Sequence, residues 1–230
     1  MVKKFFSFIF TLAILVSCKP ITTITQENKS VTSNYNATSS KKSPQEVNDT
    51  TFVNLKDYSN DFIFDMKYAT TDNFLKEKVY ECAECYLRLK TVKSLIKANS
   101  EFISKGFKIK IFDCYRPLDI QKKMWSIVPN PEYVADPKKG SIHNRGGAVD
   151  ITLVDKNGAE VNMGTAFDHF GIESSHFYSN FSDEILQNRK LLKEIMLQND
   201  FSSFDSEWWH YNLINSNTDK LSNFKWECKE

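Results

Sequence analysis

Apolar residues recur at helical spacing in two long segments of the chain. The first runs from Leu87 to Lys105 and is followed by Gly106, a common helix stop. Its apolar positions are Leu89, Val92, Leu95, Ile96, Phe102 and Ile103. The second runs from Glu184 to Gln198. A shorter helix is predicted from Pro117 through Val128, because proline is favoured in the first helical turn.

Other segments alternate apolar and polar residues, which predicts half-buried strands. Phe107 to Phe112 is the clearest case, and Asp61 to Tyr68 has a similar pattern. Strands are also predicted from Ala148 to Val154, around Val161 after an Asn-Gly turn, and from Glu207 to Leu213. Helices and strands mix without regular βαβ alternation. The pattern therefore favours one α+β domain with a mostly antiparallel central sheet flanked by helices.

The first eighteen residues have the pattern of an export signal. Lys3 and Lys4 precede an apolar run from Phe5 to Val16, which is short of the ~20 residues that span a bilayer. The segment ends Leu-Val-Ser before Cys18, which resembles the lipobox of bacterial lipoproteins. We therefore expect Cys18 to be lipidated, with a plain secretory signal as the alternative.

Residues 19–50 are rich in Ser, Thr, Asn and Lys and have no apolar periodicity. Such a segment buries too little surface to offset its ordering entropy, so it is predicted to be a flexible tether. Residues 51–230 would then form the folded domain. The protein is expected outside the cytoplasm, on the periplasmic or cell-envelope face of a membrane that holds its lipid anchor.

Charge and cysteine content narrow the classes of partner and site. The formal net charge is only +1, so no basic field exists to attract nucleic acid. Beyond Cys18 there are four cysteines, Cys82, Cys85, Cys114 and Cys228. An even number permits two disulfides whose connectivity stays open. Half a zinc site at Cys82 and Cys85 is a weaker alternative, because no second pair completes it.

Two segments carry candidate chemistry. His143 and Asp150 stand seven residues apart with glycines between them, so a chain reversal can bring their side chains together. Catalytic zinc needs a third protein ligand and an open position. His210 can supply that ligand, and Glu207 can act beside it as general base. Residues three apart do not share a face of a flat strand, so this strand is predicted to twist or bulge.

The two segments together resemble a known family. Ser-x-His-x-x-Gly-x-Ala-x-Asp at residues 141–150, followed by Glu-x-x-His at residues 207–210, is similar to the zinc peptidases related to D-alanyl-D-alanine carboxypeptidases and VanX-type dipeptidases. Four further segments resemble the dipeptidase branch: Lys67-Tyr68-Ala69-Thr70 with Asn73-Phe74, Tyr115-Arg116-Pro117, Met163 to Asp168, and Ser175-His176 with Asn188-Arg189. The resemblance covers residues 50–215.

This resemblance implies hydrolysis of D-alanyl-D-alanine to two D-Ala, with one zinc ion per chain. The implied zinc ligands are His143, Asp150 and His210. The implied catalytic groups are Glu207 as base and Arg116 at the oxyanion. The residues implied to shape the pocket for the free amino end of the dipeptide are Ser141, Tyr68 and Asp168. The other two histidines, His169 and His176, are interpreted as structural.

The sequence departs from this family in two respects. Cys114 stands where relatives commonly have a small residue, and the signal and tether are additions to cytoplasmic relatives. An external enzyme fits salvage of wall fragments better than glycopeptide resistance. A D,D- or L,D-carboxypeptidase on longer wall peptides is the first alternative, and a non-catalytic zinc module that binds wall peptides is the second. The oligomeric state stays open.

Overall fold

The structure is a computed structural model that describes residues 47–228. The predicted signal peptide, the lipidation site Cys18 and nearly all of the predicted tether lie outside these described residues. Between residues 47 and 228, no helix is both long enough and apolar enough to cross a bilayer.

The described chain contains seven strands and three α-helices. The strands are β1 (Phe52–Asn54), β2 (Ile63–Phe64), β3 (Tyr86–Arg88), β4 (Phe107–Asp113), β5 (Ala148–Asp155), β6 (Phe201–Phe204) and β7 (Glu207–Leu213). The helices are α1 (Leu89–Ser104), α2 (Leu118–Ile127) and α3 (Asp183–Gln198). The three predicted helices are confirmed to within two residues at each end.

The strands form one large sheet and one small sheet. The large sheet has the order β2-β4-β5-β7-β6, and β1 pairs with β3 separately. Only the β2–β4 pair is parallel, whereas β4–β5, β5–β7, β6–β7 and β1–β3 are antiparallel. The predicted α+β class with a mostly antiparallel sheet is confirmed.

The core lies between the large sheet and two of the helices. α1 packs against β4, and α3 packs against β6. Leu95 and Phe102 of α1 and Ile109 of β4 are fully buried, as is Leu192 of α3. Burial of apolar surface is the main contribution to the stability of such a layer, at roughly 25 cal/mol per Å² removed from water. The candidate site lies on two inner strands of this sheet, β5 and β7, and on the loops beside them.

Two predicted strands are corrected by the structure. Asp61 to Tyr68 was expected to be one strand, but only β2 pairs, and a 3-10 turn begins at Lys67. The strand predicted around Val161 is wrong, since the hairpin after β5 closes with a single bridge between Val154 and Glu160. There the chain is held by the Asp155 carboxylate, which accepts from two backbone amides of the turn, and no ladder develops.

All four described cysteines are paired. One disulfide joins Cys82 to Cys228 and the other joins Cys85 to Cys114. The alternative of half a zinc site at Cys82 and Cys85 is therefore wrong, because both sulfurs are consumed by disulfides.

Candidate metal centre and active site

One cavity of about 240 Å³, lined in part by β5 and β7 of the large sheet, brings together every candidate site residue between 47 and 228. These residues are Tyr68, Arg116, Ser141, His143, Asp150, Asp168, Glu207 and His210. They come from separate segments of the sequence, so only the fold makes them neighbours. The cavity is smaller than the ~300–1,000 Å³ typical for drug-sized ligands, which suits a short substrate.

Strand register places two of the candidate ligands side by side. Asp150 of β5 lies opposite His210 of β7, and on its other side it lies opposite Asp113 of β4. Directly opposed residues on antiparallel strands have Cβ atoms about 4.5–5.5 Å apart and point to the same face. The three strands thus set Asp113, Asp150 and His210 in one row across the sheet.

The third candidate ligand comes from a turn that precedes β5. His143 begins a 3-10 turn that ends at Gly146, whose φ of +73° is left-handed. A Cβ at this glycine would also collide with the Phe52 ring, so glycine is needed for two reasons. The backbone of Arg116 donates to the His143 carbonyl at 3.1 Å and holds the turn against the end of β4.

Three ligand atoms converge from these residues. His143 Nε2 lies 3.2 Å from His210 Nδ1 and 3.4 Å from an Asp150 oxygen, and His210 Nδ1 lies 2.9 Å from that oxygen. Tetrahedral zinc with bonds of about 2.0–2.2 Å would separate its ligands by roughly 3.3–3.6 Å. The observed distances are within about 0.5 Å of that range, so the arrangement fits a small divalent cation.

The remaining ring nitrogens fix which atoms face the centre. His143 Nδ1 donates to the Cys114 carbonyl at 2.6 Å, and His210 Nε2 donates to the Asn212 side-chain oxygen at 2.9 Å. In neutral rings His143 Nε2 and His210 Nδ1 then carry lone pairs. Together with the Asp150 carboxylate, these two nitrogens place three lone pairs close together with no proton between them. The lone pairs repel one another, and a cation bound between them would remove this repulsion. Such second partners are typical of metal-binding histidines.

The other histidines stand apart from this centre. His169 is exposed and pairs with Glu173 at 3.3 Å, and His176 packs its ring against Tyr211. Neither lines the cavity. In residues 47–228, His143, Asp150 and His210 form the one group of three or more His, Cys, Asp or Glu side chains with metal-binding geometry.

Glu207 reaches the same cavity because its strand is irregular. Ser203 pairs with Tyr211, but the next residue Phe204 pairs with Glu207, so β7 has three unmatched residues at this point. This bulge confirms the predicted irregularity and re-aims side chains, as bulges near active sites commonly do. Burial raises the pKa of Glu207 and the charge of Asp150 adds to this, whereas His210 opposes it.

Arg116 is held rigidly in the cavity wall. One guanidinium nitrogen donates to Asp113 at 2.7 Å and another donates to Gln121 at 3.1 Å. Burial works against its charge, but Asp113 outweighs this and holds the pKa of Arg116 above its usual range. Its Nε has no hydrogen-bond partner among the described residues, so a buried donor remains for a ligand.

A carboxylate and a phenol also meet in the wall of the cavity. The Tyr68 hydroxyl lies 3.1 Å from both carboxyl oxygens of Asp168, to which it donates. Asp168 has a φ of +59°, a left-handed conformation that aspartate tolerates better than most residues. Burial raises its pKa well above the usual range, and the charge of Asp150 raises it further. A cationic group placed here would satisfy this carboxylate.

A cluster of aromatic side chains lies beside the cavity. Tyr133 stacks on Phe170 with ring centroids 4.6 Å apart, and Phe170 also meets the edges of Phe74 and Trp209. Tyr133, Phe170 and Trp209 line the cavity, as does Phe204, whose ring centroid lies 5.6 Å from that of His210.

Sequence reasoning missed several residues that support the site. Asp113 and Gln121 hold Arg116, Asn212 orients His210, and Asn144 accepts from the Ser141 backbone at 2.8 Å. The contact of Asn212 was predictable, because residues two apart on a strand lie on the same face and Asn212 stands two residues after His210. Asp113 had a weaker signal, as a carboxylate at the end of an apolar strand. Asn144 also donates to the Arg116 carbonyl at 2.8 Å, a tertiary contact that has no local signal.

Comparison with known families gives one match over most of the chain. The profile of the Peptidase_M15 family, described as D-ala-D-ala dipeptidase, matches residues 48–226.

Individual relatives agree with that match. The D-alanyl-D-alanine dipeptidase of Escherichia coli (strain K12) is 36% identical over 168 residues, which are 73% of this chain and 87% of that protein. The D-alanyl-D-alanine dipeptidase of Enterococcus faecium is 33% identical over 171 residues, 65% of this chain and 85% of the relative. Among solved structures, the vancomycin resistance D,D-pentapeptidase VanY in complex with Zn(II) has a TM-score of 0.37 at 16% identity, covering 57% of this chain and 75% of that chain.

Proposed function

The chain belongs to the D-Ala-D-Ala dipeptidase family of M15 metallopeptidases, and from this premise we propose that it hydrolyses D-alanyl-D-alanine with one zinc ion. The zinc ligands in this proposal are His143, Asp150 and His210. The observation that carries it is the convergence of three lone-pair donors in one cavity with a buried carboxylate and a buried guanidinium. This is the donor set of a catalytic zinc site, with three protein ligands and one open position.

A zinc ion bound there would act as a Lewis acid and lower the pKa of its bound water to ~7. Glu207 takes a proton from the attacking water and returns it to the leaving amine. Its raised pKa suits this role, because a general base works best with a pKa close to the operating pH. The bulge in β7 supports the assignment, since it turns Glu207 into the cavity that also holds His210.

Arg116 stabilises the negative charge that develops on the carbonyl oxygen of the scissile bond. Its two terminal nitrogens are occupied by Asp113 and Gln121, which fix the orientation of the guanidinium before substrate binds. The unpartnered Nε then offers a preorganised donor. One such donor is typically worth about 3–4 kcal/mol in the transition state.

Asp168 binds the free ammonium group of the dipeptide, and Tyr68 orients the carboxylate. An ammonium buried without a counter-charge would cost several kcal/mol, so this end of the cavity selects substrates with a free amine. Ser141 lines the same cavity beside the His143 turn and is assigned to substrate binding.

The enzyme is further proposed to be an exported lipoprotein, anchored through Cys18, that takes part in turnover of wall peptides. Pairing of all four described cysteines supports export, because disulfides persist in oxidising compartments. Mass spectrometry of the mature N-terminus should find an acylated Cys18, and Cys18→Ala should move the protein from the membrane to the soluble fraction. An unmodified N-terminus at another residue would exclude the anchor.

The test of the activity is release of D-Ala from D-Ala-D-Ala by the purified protein. Amino-acetylated D-Ala-D-Ala, L-Ala-L-Ala and chelator-treated enzyme are the controls. We expect rapid, chelator-sensitive cleavage of the free D,D-dipeptide alone. Equal cleavage of the acetylated peptide would instead identify a carboxypeptidase, and zinc binding without cleavage would identify a binding module.

A further inference from the structure

The Cys85–Cys114 disulfide lies directly behind the candidate metal centre. Cys114 follows the last residue of β4 and precedes Tyr115 and Arg116. Both sulfur-bearing residues are fully buried. No role in the proposed reaction accounts for this bond, and Cys114 stands where the resemblance leads us to expect a small residue.

The backbone of Cys114 contacts two parts of the site. Its carbonyl accepts the 2.6 Å hydrogen bond from His143 Nδ1, which fixes the tautomer and the plane of that ring. Its amide donates to Asp113 at 2.9 Å, and Asp113 in turn holds Arg116 at 2.7 Å. A displacement of this one residue would therefore reach both His143 and Arg116.

Pairing with β5 does not extend to Cys114, although the next residue, Tyr115, donates its amide to the Tyr86 carbonyl of β3 at 2.9 Å. The register of β4 against β5 shifts between Ile111 and Asp113, and the pairing ends at Asp113. The Cys85 side is firmer, because Leu55 donates to the Cys85 carbonyl at 2.9 Å and Cys85 directly precedes β3. The disulfide therefore connects the irregular end of β4 to an anchored segment.

We propose that the Cys85–Cys114 disulfide is a positioning element of the metal centre, which fixes the Cys114 carbonyl so that it orients His143. The inference rests on the proposed zinc site. The pairing of β4 alone does not fix the Cys114 carbonyl, so the affinity for the metal is expected to depend on this disulfide.

The second disulfide is a matched control. Cys82–Cys228 closes a sequence separation of 146 residues, against 29 for Cys85–Cys114. A disulfide that closes the longer loop is expected to stabilise the fold more, since it removes more entropy from the unfolded chain. Cys82 and Cys228 have no hydrogen bond to His143, Asp150 or His210 among the described contacts; Cys82 accepts instead from Trp226. Stability and metal affinity should therefore respond in opposite order.

The experiment compares the full-length protein with the variants C85A/C114A and C82A/C228A. Zinc affinity is measured by chelator competition, ligand geometry by the visible spectrum of the cobalt-substituted protein, and stability by thermal unfolding. We expect C85A/C114A to bind zinc about 10-fold more weakly or worse, the usual effect of losing a partner of a metal-bound histidine, with an altered cobalt spectrum. C82A/C228A should show the larger fall in Tm and retain the wild-type zinc affinity.

Equal zinc affinity in the two variants, or losses that follow Tm, would overturn the positioning role. If C85A/C114A does not fold, Cys85→Val combined with Cys114→Ala refills the buried space and is subject to the same comparison. Wild-type protein that binds no zinc would refute the proposed function and this inference together. Wild-type protein that binds zinc and cleaves the dipeptide, beside a C85A/C114A variant of unchanged affinity, would refute the inference alone.

Discussion

The side chains around the cavity are positioned in two different ways. The strand half, defined as Arg116, Asp150, Glu207 and His210, lies on β5, on β7 and just after β4, where strand register and the Asp113–Arg116 hydrogen bond fix the side chains. The loop half, defined as Tyr68, Tyr133, Asp168 and Phe170, lies on connecting segments held by ring contacts and by the Tyr68–Asp168 hydrogen bonds. Bond cleavage tolerates little displacement of its groups, and regular elements position groups more accurately than loops.

Substitutions in the two halves are therefore expected to change different kinetic constants. Changes in the strand half should lower kcat, because their groups act on the reacting atoms. Changes in the loop half should raise KM and relax selectivity for the free amine, because their groups bind the substrate. The predictions below test that division.

The largest effect is expected for Glu207→Gln. The amide keeps the size of the side chain but cannot accept a proton at neutral pH, so kcat should fall about 10²- to 10⁴-fold. Zinc content should be unchanged, since Glu207 is not a proposed ligand. Steady-state kinetics and metal analysis check both points, with Glu173→Gln at the exposed ion pair as the control. Turnover close to wild type would remove Glu207 from the base role.

Arg116→Lys should follow, with kcat reduced about 10²- to 10³-fold. Lysine keeps the charge but loses the fork that donates to Asp113 and Gln121 while leaving Nε for the substrate. KM should change much less than kcat. A rise in KM at constant kcat would instead place Arg116 among groups that bind ground state and transition state equally.

Asp168→Asn should show the reversed pattern. Losing the charge opposite a buried ammonium typically costs about 2–5 kcal/mol, so kcat/KM should fall roughly 30- to 5,000-fold, mainly through KM. The preference for free over acetylated D-Ala-D-Ala should largely disappear. Kinetics with both substrates measure this. Retained preference would mean that the amine is recognised elsewhere and that the loop half is not its binding site.

Tyr68→Phe is expected to give a smaller loss of the same kind. The ring stays in its contacts with Phe167 and Tyr80, but the hydroxyl no longer donates to Asp168. Hydrogen bonds to charged groups contribute about 1.5–3 kcal/mol, which corresponds to roughly a 10- to 100-fold rise in KM. An effect on kcat alone would contradict the assignment of Tyr68 to substrate binding.

The strand half was easier to predict from the sequence than the loop half. Alternation predicts β4, the segments of β5 and β7 are also predicted as strands, and the spacing of Glu207 and His210 predicts the irregularity of β7. A strand has a period of two, so ligands on it leave a local pattern. β6 was missed because its four residues, Phe201–Phe204, carry too short a pattern.

The supporting contacts of the site were beyond local reasoning. Tyr133 and Phe170 meet only through long-range folding, and nothing near either residue in the sequence indicates the contact. Cysteine pairing was also open, since four cysteines allow three connectivities. The segments around Tyr68 and Asp168 were found through family resemblance, because loop residues that bind a ligand have no period to detect.

The smallest predicted effect is on stability, at the hydrogen-bonded contact between residues 175–176 and Asp205, which we call the junction. The backbone amide of His176 and the hydroxyl of Ser175 both donate to the Asp205 carbonyl. These hydrogen bonds connect the loop after Phe170 to a residue that stands two positions before Glu207. Burial, together with the charges of Lys193 and Arg189, lowers the pKa of His176 to about 4. The junction is therefore expected to weaken when His176 becomes protonated.

The sign of this effect follows from the two pKa values of His176. An unfolded histidine has a pKa of about 6.5, so between pH 6.5 and 4 the unfolded chain binds more protons than the folded one. The stabilising contribution of neutral His176 is complete above pH 6.5 and is lost as pH falls towards 4. Because the ring is only partly buried, we expect no more than about 1 kcal/mol. His176→Gln should make the fall in Tm between pH 7.5 and 5 shallower than in wild type. An unchanged slope would show that acid destabilises the protein elsewhere and that this junction is not its pH-sensitive contact.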